Sequence, residues 1–373
     1  MSKPTVLHIY KDFYPPVVGG IEKSLNWMGR TTRDEFDVKF LVANTSARTV
    51  QEECDGFKVI KAASLGRAFS APLCPSFPSL IRKHAADILH FHVPNPTGDV
   101  SYLLARPRGR VVVTYHSDIV RQKWAMAVYG PLLRRFLGRA DVIMPTSPNY
   151  IESSPVLRRV REKCEVVPLG IPTEDYVLTP GGEEAVEEIK SIHEGRRLIL
   201  FVGRLRYYKG LHFLVEAMPR IEATLLIIGE GPERRRLEYL ARQFKVTERV
   251  KFLGELSDSK VAAHYHAADV FCLPSFLRAE AYGLSQIEAM TCGKPVVSTA
   301  LDTGVPFVNQ HEVTGLVVEP ASPRALVGGL NRLLNDESLR KQFGAAARAR
   351  VLSEFDIAKM GERLKAVYRK VLR

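Results

Sequence analysis

Short apolar runs alternate with helix-like stretches along most of this chain. In the first half, runs that predict strands lie at residues 5–10, 37–43, 57–61, 87–91, 110–115, 141–145 and 165–168. A second series lies at residues 198–202, 224–228, 249–253, 269–273, 295–299 and 316–318. Strands that alternate with helices along a chain are typical of parallel βαβ construction. The pattern therefore predicts an α/β protein with parallel sheets.

The two series predict two Rossmann-like domains. A polar, acidic stretch from 173 to 194 separates them and predicts a linker that leads into a solvent-facing helix. We place the first domain at 1–172 and the second at 173–355. A break at Phe355-Asp356 precedes a final amphipathic helix. Residues 356–373 are therefore predicted to form a C-terminal helix. In proteins with two such domains, a helix at this position often packs back on the first domain.

The composition favours a soluble cytoplasmic protein. The chain is 46% hydrophobic and 25% charged, and no run approaches the roughly 20 apolar residues that a membrane helix needs. The apolar segment at the N-terminus is too short for a signal peptide. The five cysteines are far apart and form no C-x-x-C pair, which favours free thiols in a reducing compartment over disulfides or a zinc site.

The net charge of +12 raises the question of an anionic partner. A stretch at 121–139 contains no acidic residue, and it interleaves aromatic side chains with Arg121, Lys123, Arg134, Arg135 and Arg139. This pattern resembles a membrane-surface helix and predicts peripheral contact with an anionic membrane. A core helix with a solvated basic face is the alternative. A nucleic-acid partner is not expected, because the chain lacks an aromatic-basic motif of the RNA-binding kind.

Candidate ligand-binding residues follow the predicted strands, because ligands of open α/β sheets bind beyond the carboxyl ends of the strands. Gly19 and Gly20 precede a helix and would let backbone N–H groups approach an anion, although any strand-to-helix turn can use such glycines. His116 follows the strand at 110–115; taken alone, a histidine there is more often structural. Gly203-Arg204 and Lys209 follow the strand at 198–202, where two cations could neutralise a diphosphate. A solvated basic loop is the alternative.

The segment from Glu280 to Gly293 carries the most specific pattern. A helix is predicted from Ser285 to Cys292, because Gly293 followed by Lys294-Pro295 is a helix stop. Gly283 and Leu284 would then lie at the helix N-terminus, with N–H groups available for phosphate. Glu280 and Glu288 are candidate ligand-binding carboxylates. Ser285-x-x-Glu288 is also a capping-box pattern, which would engage Glu288 with the helix start instead.

Together these segments resemble the large family 4 of retaining glycosyltransferases. The resemblance implies the GT-B fold, in which two Rossmann-like domains face each other across a cleft. It covers nearly the whole chain, from Pro15-Pro16-x-x-Gly19-Gly20 to Thr314-Gly315-Leu316-Val317. Its most specific part is the combination of Gly203-Arg204-x4-Lys209-Gly210, Gly229-Glu230-Gly231-Pro232 and Glu280-x7-Glu288.

The resemblance also implies roles for individual residues. Arg204 and Lys209 would hold the donor diphosphate, Glu288 the ribose hydroxyls, and Glu280 would face the donor sugar. His116 would contact the transferred sugar. The predicted catalytic residues are thus His116, Arg204, Lys209 and Glu280, and the predicted donor-binding residues are Gly19, Gly20, Gly203, Gly283, Leu284, Ser285 and Glu288.

The expected reaction is transfer of a hexosyl group from a nucleotide-sugar to a saccharide or lipid-linked saccharide. The chain most resembles bacterial mannosyl- and rhamnosyltransferases of surface-polysaccharide synthesis, which suggests GDP-mannose as donor. Residues 301–307 lack the family's usual Gly-x-Pro-Glu and leave the donor sugar open. No Asp-x-Asp occurs, so we expect neither a metal nor another cofactor. With a lipid-linked acceptor, the enzyme would work at the inner face of the cell membrane. A nucleotide-sugar epimerase of the same fold is the alternative.

Overall fold

The computed structural model describes residues 2–15, 17, 19–68, 71–119 and 123–373. The chain forms two compact units: unit 1 is Met1–Gly170 with Ile357–Arg373, and unit 2 is Ile171–Asp356. Each unit is built on a largely parallel sheet whose strands alternate with helices along the chain. The predicted α/β class with two Rossmann-like domains is confirmed.

The strands of unit 1 are β1 (Thr5–Ile9), β2 (Asp37–Ala43), β3 (Val50–Cys54), β4 (Phe57–Ala62), β5 (Arg67–Ala68), β6 (Ala71–Pro72), β7 (Ile88–Val93), β8 (Arg110–Tyr115) and β9 (Val142–Pro145). Its main sheet has the strand order β3-β4-β2-β1-β7-β8-β9, and only β3 runs antiparallel to its neighbour. Residues of the interior strand β7 are all buried, as expected for a parallel strand covered on both faces. Its first helices are α1 (Gly20–Thr32), α2 (Phe77–Lys83), α3 (Pro96–Ala105), α4 (Lys123–Gly138) and α5 (Pro148–Ser153).

Unit 2 contains an all-parallel sheet with the order β12-β11-β10-β13-β14-β15. Its strands are β10 (Leu198–Val202), β11 (Thr224–Ile228), β12 (Val250–Gly254), β13 (Val270–Leu273), β14 (Val296–Thr299) and β15 (Gly315–Val318). Its helices are α6 (Pro180–Ile192), α7 (Leu211–Ala217), α8 (Arg234–Gln243), α9 (Asp258–Ala267), α10 (Leu284–Thr291), α11 (Val305–Val308), α12 (Pro323–Asn335) and α13 (Glu337–Arg350).

The chain then returns to unit 1 as helix α14 (Ile357–Leu372). A short π-helical turn at Val351–Phe355 precedes it, where the sequence predicted a break. Helix α14 packs on α1. Lys365 forms an ion pair with Asp34 at 2.6 Å, and Nε of Arg369 donates to Glu35 at 2.9 Å.

For unit 1 the sequence predicted one strand that does not form and missed another that does. The segment 165–168 is not a strand: the backbone N–H groups of Glu165 and Val167 donate to β9 at 2.9 and 3.1 Å, but no ladder continues from them. Strand β3 was missed because it is polar and lies at the sheet edge, where most of its side chains are exposed. The turn Asp55-Gly56, with φ of 55° and 74°, joins it to β4, and such a dipeptide is a strong hairpin signal.

Candidate active site

The loops that follow β10 and β13 pack against each other and bring the charged candidates of unit 2 together. Gly210 has φ of 70°, and a Cβ on it would lie 2.0 Å from the carbonyl oxygen of Pro274. The N–H of Phe276 donates to the carbonyl of Tyr208 at 3.0 Å. Only glycine fits position 210, so the Lys209-Gly210 pair of the motif fixes one loop on the other.

Lys209 and Glu280 form a buried ion pair. Lys209 Nζ lies 2.6 Å from Glu280 Oε2, and the two side chains are 11% and 8% exposed. Oγ of Ser275 donates to the same carboxylate at 2.7 Å. Burial alone would lower the pKa of Lys209, but the Glu280 carboxylate, with smaller contributions from Tyr208 and Glu288, raises it above its ordinary value. Lys209 is therefore positively charged in this loop at neutral pH.

Arg204 differs from Lys209 in being exposed. Among the residues that the structure describes, none forms an ion pair with its guanidinium, so the charge is available to a ligand. The loop that carries it is held by Gly231, because a Cβ on Gly231 would lie 2.4 Å from the carbonyl oxygen of Leu205. The N–H of Leu205 donates to the carbonyl of Glu230 at 2.9 Å. The Gly229-Glu230-Gly231-Pro232 motif thus supports the loop that carries Arg204 and Gly203.

Helix α10 begins at Leu284, one residue before the predicted start, and Gly283 is its N-cap with φ of 75°. A capping box requires the serine at the N-cap, whereas Ser285 is the second helical residue and no side chain caps this helix. The capping-box alternative is therefore wrong. The N–H groups of Leu284 and Ser285 belong to the first turn, where a helix leaves its donors free for an anion.

Two tyrosines surround the carboxylate of Glu288. The hydroxyl of Tyr265 donates to Glu288 Oε2 at 2.6 Å. Burial first, and then the charge of Glu288, raise the pKa values of Tyr265 and Tyr176 well above their usual range. Both phenols are therefore protonated donors. A carboxylate has about four acceptor positions, so it can accept further hydroxyl groups.

In unit 1, Gly19 is the N-cap of α1 and Gly20 is its first residue. A Cβ on Gly19 would lie 2.1 Å from Oε2 of Glu22. A carboxylate thus already lies beside the helix start that the sequence suggested for an anion. His116 directly follows β8 and is buried, and its Nε2 lies 3.0 Å from Nδ1 of His92.

Comparisons with known proteins agree with this architecture. Residues 18–175 match the family described as Glycosyltransferase Family 4, and residues 183–350 match Glycosyl transferases group 1. The chain is 34% identical to an O-antigen chain mannosyltransferase C from Escherichia coli over 350 residues, which cover 92% of each protein. The chain belongs to glycosyltransferase family 4.

Further similarities extend this assignment. D-rhamnosyltransferase WbpZ from Pseudomonas aeruginosa is 34% identical over 354 residues, or 92% of this chain and 90% of that protein. The structure of a sucrose-phosphate synthase from Thermosynechococcus elongatus superposes with a TM-score of 0.82 at 22% identity, covering 99% of both chains. The predicted GT-B class is confirmed. Family membership makes this chain a glycosyltransferase and gives no support to the epimerase alternative.

The structure of this family 4 chain divides the predicted site residues between its units. Unit 2 brings together Lys209 and Glu280, with Glu288 close enough to affect the pKa of Lys209. Unit 1 contains Gly19, Gly20 and His116. Sequence reasoning missed Ser275, although it lies just beyond β13, where the strand-end rule could have found it. Tyr265 lies within α9 and gave no comparable signal.

Most of the basic segment at 121–139 lies in α4 (Lys123–Gly138). In this segment Arg134, Arg135 and Arg139 are exposed, whereas Leu133, Phe136 and Leu137 are buried in the core of unit 1. Arg121 and the side chains of Lys123 and Trp124 lie outside the described residues. Among the described helices, none is long and apolar enough to span a membrane.

Proposed function

We propose that this glycosyltransferase transfers a mannosyl group, with net retention of anomeric configuration, from GDP-mannose to a saccharide or lipid-linked saccharide of a surface polysaccharide. The observation that carries the proposal is the similarity, over 92% of this chain, to a mannosyltransferase and a rhamnosyltransferase. Rhamnose is a 6-deoxy hexose, so a GDP-linked 6-deoxy sugar is the competing donor.

The charges of unit 2 support a transfer that needs no metal. When the bond between sugar C1 and the diphosphate oxygen breaks, negative charge develops on the leaving diphosphate. Lys209, held as a cation by Glu280, and the exposed Arg204 supply positive charge, and the first turn of α10 supplies N–H groups. The acceptor oxygen bonds to C1 on the face that the diphosphate leaves, and a diphosphate oxygen takes the acceptor proton.

Glu288 is proposed to bind the ribose hydroxyls of the donor. Tyr265 fixes its carboxylate from one side at 2.6 Å, and charge-assisted hydrogen bonds to hydroxyl groups are short and strong. In this arrangement Glu288 contributes to nucleotide affinity, and Arg204 and Lys209 contribute to the rate of transfer.

A donor panel tests the proposal. Purified protein is incubated with GDP-mannose, GDP-rhamnose, UDP-glucose or UDP-N-acetylglucosamine, with and without a mannose-terminated acceptor, in the presence and absence of EDTA. We expect EDTA-insensitive transfer from GDP-mannose and an α-linked product by NMR. Replacing Arg204 or Lys209 with Ala should lower kcat on the order of 100-fold. Donor conversion without acceptor would instead indicate an epimerase, and an inverted product would exclude retention.

The exposed arginines of the basic segment at 121–139 support peripheral membrane contact for a lipid-linked acceptor. Basic residues near an anionic surface contribute roughly 1 kcal/mol each at low salt. Binding to vesicles containing anionic lipid should fall steeply with salt, and it should fall when Arg134, Arg135 and Arg139 are changed to Ser. Changing Arg108, Arg158 and Arg159 to Ser removes equal charge elsewhere in unit 1 and should have a smaller effect. Equal binding by both triple variants would exclude a specific role for the basic segment at 121–139.

A further inference from the structure

Four buried histidines line one face of the sheet in unit 1. Side chains two residues apart on a strand share a face, and β1 pairs with β7 so that His8 lies opposite His90. His92 is two residues further along β7, and its neighbour on β8 is Thr114. His116 lies two residues beyond Thr114 and therefore on the same face. The rings of His8, His92 and His116 stack in sequence with centroids 5.3 Å apart and interplanar angles of 19°.

These rings form a continuous chain of hydrogen bonds. Nδ1 of His8 lies 3.0 Å from Nε2 of His92, and Nδ1 of His92 lies 3.0 Å from Nε2 of His116. At the other end, the hydroxyl of Tyr368 on α14 lies 3.3 Å from Nε2 of His8 and 2.6 Å from Nδ1 of His90. The chain therefore runs from the C-terminal helix to the residue that follows β8.

All four rings are neutral. Burial lowers the pKa of His8 and of His116 to about 3, and it lowers the pKa values of His90 and His92 well below their usual range. A neutral imidazole carries one N–H donor and one lone pair. Each ring must therefore donate on one side and accept on the other, so a single choice of direction sets every tautomer in the chain.

The distances around Tyr368 select the direction. Its hydroxyl has one proton, and the 2.6 Å contact to His90 is much shorter than the 3.3 Å contact to His8. The proton is therefore donated to Nδ1 of His90, whose Nε2–H then donates to Thr114 Oγ1 at 2.7 Å. The Tyr368 oxygen accepts from Nε2–H of His8. Nδ1 of His8 then accepts from Nε2–H of His92.

The last ring follows from the same logic. Nδ1 of His92 is left as an acceptor, so His116 carries its proton on Nε2 and presents an unprotonated Nδ1. Among the described residues this Nδ1 has no hydrogen-bond partner, although it is buried and the residue is only 3% exposed. An unpaired buried acceptor is destabilising, and a hydrogen bond from a ligand hydroxyl would remove that cost.

We infer that Tyr368, His8 and His92 are positioning residues that hold His116 in its Nε2–H tautomer, so that Nδ1 accepts a hydrogen bond from a hydroxyl group of the bound sugar. That the ligand is a sugar rests on the proposed function, whereas the tautomer does not. Nitrogen atoms of His8, His90 and His92 also lie within 4.8 Å of one another, a spacing that a metal ion could use. Both ring nitrogens of each of these residues are already engaged by Tyr368, Thr114 or a neighbouring ring.

The tautomer is measured directly by long-range 1H–15N correlation NMR of histidine-labelled protein at neutral pH without substrate. We expect His116 of the unaltered protein to show only the Nε2–H tautomer. In Tyr368→Phe we expect His116 to show a mixture of the two tautomers. Tyr102→Phe removes a hydroxyl from α3 of the same unit and should leave the pattern unchanged. An Nδ1–H pattern or a mixture in the unaltered protein would overturn the inference, as would stoichiometric zinc binding that His92→Asn abolishes.

Kinetics provide the second measurement. His92→Asn can place an amide oxygen near the position of Nδ1 and keep an acceptor for His116, whereas His92→Phe cannot. We expect His92→Phe to lower kcat roughly three- to tenfold at unchanged nucleotide affinity, as for loss of one oriented hydrogen bond, and His92→Asn to restore part of it. The inference is contradicted if His92→Phe and His92→Asn have equal kcat values and the same melting temperature. An Nε2–H tautomer without any sugar transfer would refute the proposed function alone.

Discussion

Neutralising Glu280 should destabilise unit 2 and slow sugar transfer, and the two effects can be separated. Glu280→Gln retains an oxygen for the hydroxyl of Ser275, but it removes the charge 2.6 Å from Lys209 Nζ. Both side chains are about nine-tenths buried. Removing one partner of such a pair leaves an uncompensated buried charge and typically costs about 3–5 kcal/mol. Deprotonation of Lys209 would limit the cost, so we expect about 3 kcal/mol.

The double variant distinguishes the structural role from the catalytic one. Lys209→Met combined with Glu280→Gln leaves no buried charge, so most of the lost stability should return. Turnover of the donor should remain on the order of 100-fold below that of the unaltered protein, because the cation that we propose for the leaving diphosphate is missing. The pair would then serve to hold Lys209 charged, and the stability it provides would be incidental.

Thermal unfolding and donor turnover are measured on Glu280→Gln, on Lys209→Met and on the double variant. A loss of about 3 kcal/mol in a unit of this size lowers the melting temperature by roughly 6–12 °C. Glu312→Gln, in an exposed pair with Arg332 of the same unit, is the matched control and should leave melting unchanged. The reasoning is refuted if Glu280→Gln has the same melting temperature as the unaltered protein. It is also refuted if the double variant is less stable than each of the two single variants.

Three further results are expected. The free energy of unfolding should fall as pH drops below 6.5, because the four buried histidines remain neutral when folded and bind protons when unfolded. Each histidine contributes up to about 1.4 kcal/mol per pH unit. Asp99, whose pKa burial raises to about 8, opposes this trend, and urea titrations that are flat from pH 7 to 5 would contradict it. Gly231→Ala should displace the loop that carries Arg204 and reduce turnover. Gly328→Ala is the control, because a Cβ there would meet nothing within 4 Å, and it should leave turnover unchanged. Equal turnover by the two variants would count against a role for the contact between Gly231 and Leu205. Glu288→Gln should keep its bond from Tyr265 and its melting temperature but weaken GDP binding about tenfold, and unchanged calorimetric affinity would remove Glu288 from the nucleotide site.

The sequence predicted the two sheets well because parallel strands are continuous apolar runs, and this signal needs no tertiary information. The rule that ligands bind beyond strand ends selected Arg204 and Lys209 as candidates, and the Glu280-x7-Glu288 pattern added Glu280. It could not show that Lys209 and Glu280 pair, because that depends on how two loops 71 residues apart in number fold together. The capping box at Ser285 failed for a similar reason: Gly283 adopts the left-handed conformation and starts the helix earlier.

The histidine chain shows the same boundary between local and tertiary information. Strand periodicity alone puts His90 and His92 on one face of β7. That β1 and β8 flank this strand, with His8 and His116 on the same face, follows only from the sheet order and register. Tyr368 is 278 residues from His90, and its partner could not be identified from any spacing along the chain.

The return of α14 to unit 1 has a consequence for synthesis of the protein. A ribosome releases unit 2 as one uninterrupted segment, Ile171–Asp356, whereas unit 1 has to wait for residues that are translated after all of unit 2. Until α14 emerges, His8 and His90 lack the hydroxyl of Tyr368, and Asp34 and Glu35 lack their cationic partners. Before α14 is translated, the face of α1 on which it packs is uncovered. Unit 1 is therefore translated first but completes its fold last.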